Sequence, residues 1–189
     1  MKHIKGGLSI NMHPYIIVMV ITAVLATIVT TGYIDVNRRF PEPEQDVVEK
    51  DEWVDYADGI KIKATQINFC SDKELNEQYN GNVKETGKFN YIVVKVSVMN
   101  QSESNFDFTN VILNSNLVIY PSGYENQGNC VEVDVNIKSG DVKDFTLYYT
   151  VSEMAISQKK RERVLGQDIY LCFKAYPVRQ AIIFRGIDG

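Results

Sequence analysis

Histidine is nearly absent from this chain. His3 and His13 lie ahead of the first apolar run, and residues 59–189 contain none. That removes Ser–His and Cys–His nucleophilic sites from the bulk of the protein and takes away a common zinc ligand. Cysteine is scarce as well. Cys70, Cys130 and Cys172 are too few for a disulfide-stapled scaffold, and an odd number leaves at least one thiol unpaired outside the membrane. With 5 Pro and 12 Gly in 189 residues, collagen-like and low-complexity architectures are excluded. Positive charge is not in excess, and a formal net charge of −4 argues against nucleic acid as a partner. No Walker-type or dinucleotide-type glycine loop occurs, and nothing implies a cofactor.

What the chain does contain is one long apolar run. Pro14–Ile34, PYIIVMVITAVLATIVTTGYI, carries no charge. As a helix it would be about 31 Å long, close to the ~30 Å hydrocarbon core of a bilayer. Threonine hydroxyls can bond back to the preceding turn, which makes them tolerable in lipid, and Tyr15 and Tyr33 fall at the two ends where amphipathic rings favour headgroups. A signal peptide is the competing reading, with Lys2 and Lys5 as its basic head and Thr30-Thr31-Gly32 as a cleavage site. Signal-peptide apolar regions usually run about 7–15 residues, so this one is long, and an uncleaved anchor is expected. No cysteine lies near the end of the run for lipid attachment. Lys2 and Lys5 before the span nearly balance Arg38 and Arg39 after it. The short leading side places residues 1–13 in the cytoplasm and the remainder outside.

Composition changes after the span. Between Glu42 and Asp58 stand eight acids and one base, whereas residues 59–189 hold fifteen of each. Pro41 and Pro43 stiffen the start, and like charges extend the rest. Residues 35–58 therefore read as an acidic stalk. The calcium-loop pattern is absent from it.

From Gly59 onward the apolar period is two. Ile92, Val94, Val96 and Val98 alternate with polar residues, as do Val131, Val133, Val135 and Ile137; so do Phe145, Leu147, Tyr149 and Val151; and Ile169, Leu171 and Phe173. Ala181–Phe184 forms a last short run. Half-buried antiparallel strands have this pattern. Asn80-Gly81, Pro121-Ser122-Gly123 and Ser139-Gly140-Asp141 supply turns. Apolar parity switches between Ile60, Ile62 and Ala64 and the later Ile67 and Phe69, which predicts a bulge near Thr65 or a strand passing between sheets. Residues 153–165 read as a short helix or long loop. Seven or eight short strands in residues 59–189 predict an all-β fold, an immunoglobulin-like antiparallel β-sandwich behind one transmembrane helix.

The segments YIVVKVSVMNQS (Tyr91–Ser102), NFDF (Asn105–Phe108) and IKSGDVKDFTLYYTV (Ile137–Val151) resemble the immunoglobulin-like domains of unknown function on Gram-positive surface proteins. Those domains carry a strand ending in Asn-x-Ser and a Gly-centred turn into an aromatic-rich strand. The resemblance covers roughly Gly59 to Phe184 and implies an extracytoplasmic sandwich behind a signal or membrane anchor. It supplies no catalytic residues, and this chain lacks the lipid-acceptor cysteine often found there.

Candidate contact residues are the loop tyrosines Tyr120 and Tyr124 and the basic cluster Lys159, Lys160, Arg161 and Arg163. The cluster would suit anionic headgroups or wall polymers, although a solvated loop is the default for such a run. Cys70 and Cys130 both border long loops and are the best candidates for a disulfide, against the alternative that all three cysteines are small buried hydrophobes. The expected function is non-catalytic: a surface module, anchored through Pro14–Ile34, that contacts a protein partner at the cell surface. A secreted ligand-binding domain and an extracytoplasmic hydrolase with converging carboxylates are the alternatives.

Overall fold

The computed structural model describes residues 12–41, 43–119, 124–152, 163–164 and 166–186. The chain forms two compact units, Met1–Glu42 and Pro43–Gly189.

In the first unit a single helix, α1 (Met12–Arg39), includes the whole apolar run. Pro14–Arg39 is long and apolar enough to cross a membrane, with a mean hydropathy of 2.2 over its best window, and none of that window is buried. The Oγ1 hydroxyls of Thr22, Thr27 and Thr31 donate to the carbonyls of Val18, Ala23 and Thr27 at 2.9, 2.8 and 2.7 Å, so each of these side chains is satisfied within its own helix. The helix outlasts the apolar run, which ends at Ile34. The helix continues to Arg39 through an Asp35–Arg39 ion pair at 2.9 Å, four residues apart, with two arginines on its carbonyl end, and stops short of Pro41.

The second unit is a β-sandwich. Its strands are β1 (Glu44–Glu49), β2 (Trp53–Ala57), β3 (Ile60–Ser71), β4 (Phe89–Asn100), β5 (Phe106–Asp107) and β6 (Asn116–Ile119). They continue with β7 (Tyr124–Gln127), β8 (Asn129–Cys130), β9 (Asn136–Ile137), β10 (Val142–Ser152), β11 (Ile169–Lys174) and β12 (Val178–Phe184). One sheet has the order β1-β12-β11-β6-β7, the facing sheet β2-β3-β4-β10-β8, and β5 and β9 form a two-stranded clip. All pairings are antiparallel except β1 with β12, which is parallel.

The core is what the period-two pattern demands. Ile92, Val94, Val96 and Val98 of β4, Phe145, Leu147, Tyr149 and Val151 of β10, and Ile169, Leu171 and Phe173 of β11 all point inward and are buried. Each large side chain buried this way contributes roughly 1.5–3 kcal/mol. Phe108 stacks on Phe145 at 4.6 Å between ring centres. The parity switch in β3 is a bulge: Ala64 pairs with Val96 and Gln66 with Lys95, leaving Thr65 without a rung of its own. Ile67 and Phe69 thereby stay on the core side.

The acidic stretch is not a stalk. Residues 44–49 form the edge strand β1, whose Val47 and Val48 pair with Ala181 and Ile182, and residues 53–57 form β2 beside β3. Between them the Lys50 amide donates to the Ile183 carbonyl at 3.1 Å and the Asp51 amide to the Ala64 carbonyl at 2.8 Å, so the chain steps from one sheet to the other there. The only apolar residues of β1 are the adjacent Val47 and Val48, both half-buried, which is why no alternation betrays the strand. Glu44 and Glu49 are exposed at its ends and Asp46 is half-buried, and charge on an edge strand discourages pairing with another chain. Two of the acids in the stretch find cations, Glu49 with Arg185 at 3.1 Å and Asp55 with Lys61 at 3.0 Å.

A second correction concerns Val131–Lys138, where only Asn136–Ile137 is a strand and Val133 is 97% exposed. Polar side chains divert the backbone here. The Asp134 carboxylate accepts from the Asn136 amide at 3.2 Å and from Lys143 Nζ at 2.7 Å, and Glu132 accepts from the Thr146 amide at 2.8 Å. The Asn-x-Ser of the resemblance has a structural use: buried Asn100 donates to the carbonyls of Ser104 and Ile137 and accepts from the Ser102 amide, fixing the loop after β4.

Candidate functional site

Of the expected contact residues, only Arg163 and the backbone of Tyr124 fall among the described residues. Tyr120, Lys159, Lys160 and Arg161 lie outside the described residues. The backbone of Tyr124 opens β7 opposite Ile119, and Arg163 is exposed beside buried Val164. Most of the predicted helix or loop at 153–165 is likewise outside the described residues.

Of the two readings of the cysteines, the structure has the small, mostly buried hydrophobes and not a Cys70–Cys130 disulfide: all three are thiols, Cys70 and Cys172 buried and Cys130 half-buried. Cys70 pairs with Tyr91 in β4, β4 pairs with β10, and Cys130 pairs with Leu147 in β10. Three strand spacings therefore separate the two, about 14 Å, twice what a disulfide spans. Cys130 borders a loop, as the sequence indicates, whereas Cys70 leads through Ser71 straight into a helix, and two strands of the sheet lie between them.

Cys70 belongs to a small cluster on the outer face of that sheet, with Leu75, Tyr91 and Val93. Its cover is α2 (Asp72–Tyr79), a helix that the sequence reading passed over. The signal was present: the Glu74 amide donates to Ser71 Oγ and the Ser71 amide to Glu74 Oε2, a complete capping box, and Asn80 ends the helix in the left-handed region. The Asp72 carboxylate accepts from the amides of Thr86 and Gly87 at 2.6 and 2.7 Å, pinning the following loop. Those two backbone bonds, Gly87 first, hold its pKa below the ordinary carboxylate value.

Two nucleophile–carboxylate contacts occur near the Thr65 bulge. Ser97 Oγ donates to Asp144 Oδ1 at 2.6 Å, and Cys130 Sγ donates to Glu132 Oε2 at 3.1 Å. The thiol is not an activated nucleophile. Burial, aided by Glu132, pushes the Cys130 thiol up to about 12, the opposite of what a reactive thiolate requires. Among the described residues no group of three or more His, Cys, Asp or Glu is placed to hold a metal ion.

A cleft of about 830 Å³ lies at one end of the sandwich. Tyr56 from β2, Asn114 from the end of α3 (Thr109–Asn114), Asn116 from β6, Lys174 from β11, Tyr176 from the following turn and Arg179 from β12 line it. None of its described lining residues is acidic. The walls are tied together: Gln180 Nε2 donates to the Asp55 carbonyl at 2.6 Å, joining β12 to β2 beside the cleft. The Arg179 guanidinium donates to Cys172 Sγ at 3.6 Å and lies 5.3 Å from the centre of the Tyr170 ring. Nothing in the sequence singles these residues out, because the lining comes from segments more than a hundred residues apart and carries no local motif.

No family model matches the sequence, and no curated protein does either. Solved structures do. An uncharacterized β-sandwich protein from Clostridium difficile 630 shares 13% identity at a TM-score of 0.51, over 76% of this chain and 97% of that one. A functionally unknown protein from Listeria monocytogenes EGD-e shares 10% identity at a TM-score of 0.44, over 72% of this chain and 83% of that one. A conserved hypothetical protein from Bacillus anthracis shares 10% identity at 0.43, over 71% and 94%. The fold is thus a β-sandwich, the architecture it shares with the uncharacterized Clostridium difficile protein, preceded here by an apolar helix.

Proposed function

We propose that this protein is a non-catalytic recognition module of the cell surface, held in the membrane by α1 and presenting an immunoglobulin-like sandwich outside the cytoplasm to a protein partner. The observation that carries the anchor is the unburied helix: from Tyr15 to Val36 its large apolar side chains are all exposed. Fourteen such side chains at roughly 1.5–3 kcal/mol each make immersion in lipid worth about 20–40 kcal/mol. The sandwich has its own core and makes no demand on that helix for burial. A recognition role is favoured over hydrolysis by the suppressed thiol of Cys130 and the lack of histidine after His13.

The test is fractionation of cells expressing the full chain, protease treatment of intact cells, and sequencing of the N-terminus. Retention in the membrane after alkaline wash, a domain cut from outside and an uncleaved N-terminus support the reading. A soluble product beginning near Tyr33 would replace it with a secreted ligand-binding domain. Leu25→Arg near the middle of α1 should cost about 3–4 kcal/mol of insertion and release a fraction of the protein; unchanged retention would argue against a spanning helix.

A further inference from the structure

We propose that the cleft between Tyr56, Lys174 and Arg179 binds a phosphorylated sugar unit, either free or as the repeat of an anionic glycopolymer. The inference depends on the proposed extracytoplasmic location only for where the ligand is met; the chemistry rests on the cleft itself.

Size is the first argument, since about 830 Å³ falls within the ~300–1,000 Å³ of small-ligand sites. The second is the mixture of groups on the walls. Lys174 is exposed, and among the described residues no ion pair engages it. With Arg179 on the neighbouring strand it puts two cations in one concavity whose described lining has no carboxylate. A neutral or apolar occupant would strip water from the Lys174 ammonium without replacing it, whereas a phosphate offers it acceptor oxygens beside the guanidinium of Arg179, which also keeps its contacts to Cys172 and Tyr170. Asn114, whose Nδ2 also donates to the Asn110 carbonyl at 2.8 Å, and Asn116 add amides, which donate and accept and so suit hydroxyl groups. Tyr176, 52% exposed at the rim, and half-buried Tyr56 add rings with apolar faces and polar tips, the surface on which the C–H face of a sugar ring packs.

The third argument is rigidity. The walls come from a turn between paired strands, the end of a helix and two adjacent strands, and the Gln180–Asp55 bond ties two of these together. Less ordering is then needed on binding. An acidic peptide would use the same cations but would leave the two amides and the exposed ring with less to do.

The experiment uses the full chain in a sugar-free detergent, with calorimetry and ligand-observed saturation-transfer NMR. The probes are glucose 6-phosphate, glucose, inorganic phosphate, a glucosylated poly(glycerol phosphate) and an Asp/Glu-rich peptide. Glucose 6-phosphate should bind with a Kd of about 1 mM, at least about tenfold tighter than glucose or phosphate alone. Lys174→Gln and Tyr176→Ala, both at exposed positions, should each weaken it about fivefold or more without lowering the melting temperature. Tighter binding of the polymer than of the monomer identifies the glycopolymer as the source, and equal binding identifies the free sugar phosphate; either supports the site. Phosphate binding as well as glucose 6-phosphate, the peptide outcompeting both, or unchanged binding by the two variants would overturn it. Because the assay is carried out on purified protein, its failure is distinct from a failure of the membrane location.

Discussion

Deleting Thr65 should be nearly harmless, whereas deleting Asn68, three residues on, should not. Thr65 is the extra residue of the β3 bulge, between the Ala64–Val96 and Gln66–Lys95 pairs. Without it those two pairs become consecutive rungs, and Ile67 and Phe69 keep both their partners and their inward direction. What is lost is a long 3.5 Å contact from Thr65 Oγ1 to the Lys95 carbonyl and some local twist. The expected cost is about 1 kcal/mol, a fall in Tm of no more than about 5 °C for a domain of this size. Removing Asn68 offers no such escape. Ile67 and Phe69, both buried now, cannot both face the core once they are adjacent, and losing either large side chain from a packed interior costs about 2–5 kcal/mol. The Tm should drop by about 6–20 °C. The single tryptophan reports the event directly, since Trp53 pairs with Lys63 of β3 and carries that ammonium 4.9 Å from its ring centre. Thermal melts of the full chain in detergent, followed by tryptophan fluorescence, give both values. Equal losses for the two deletions, or a larger one for Thr65, would refute the bulge as a register-saving insertion and point to a separate role for the Thr65 surface.

Three further outcomes follow from the packing. Asp72→Asn should loosen the loop after α2, seen as faster hydrogen exchange at the Thr86 and Gly87 amides that the carboxylate now accepts from. Because the folded pKa of Asp72 is lowered, its contribution is full above the unfolded carboxylate value of about 4 and fades as pH falls through the lower folded value; the variant should lack that acid-side loss, and identical pH profiles would count against the clamp. A thiol reagent at pH 8 should label no cysteine quickly in the native protein and three after denaturation, since Cys70 and Cys172 are buried and the Cys130 thiol is raised to about 12; one rapid native label would contradict this. Tyr149→Phe removes a buried hydrogen bond of 2.9 Å to Ser115 Oγ, while that hydroxyl keeps its bond to the Ile112 carbonyl, so the loss should be about 1 kcal/mol, or about 2–4 °C in Tm by calorimetry.

The sequence by itself determined the apolar helix and the strands of the core. Charge-free length sets the first, and strict alternation sets the second, because a half-buried strand permits only one parity. The bulge at Thr65 was legible for the same reason: two inward runs of opposite parity must meet somewhere. Where alternation is weak, tertiary contacts decided. The acidic segment became strands because Ala181 and Ile182 of β12 offer Val47 and Val48 a place in the sandwich, a partner more than a hundred residues away. Val131–Lys138 alternates well yet loses most of its strand to the hydrogen bonds of Glu132 and Asp134. Cys70 and Cys130 looked alike as loop-bordering thiols until the strand order placed two strands between them. The cleft was invisible for the most general reason: Tyr56, Asn116, Lys174 and Arg179 share no spacing, and only the crossing of the chain between two sheets brings them to one end of the sandwich.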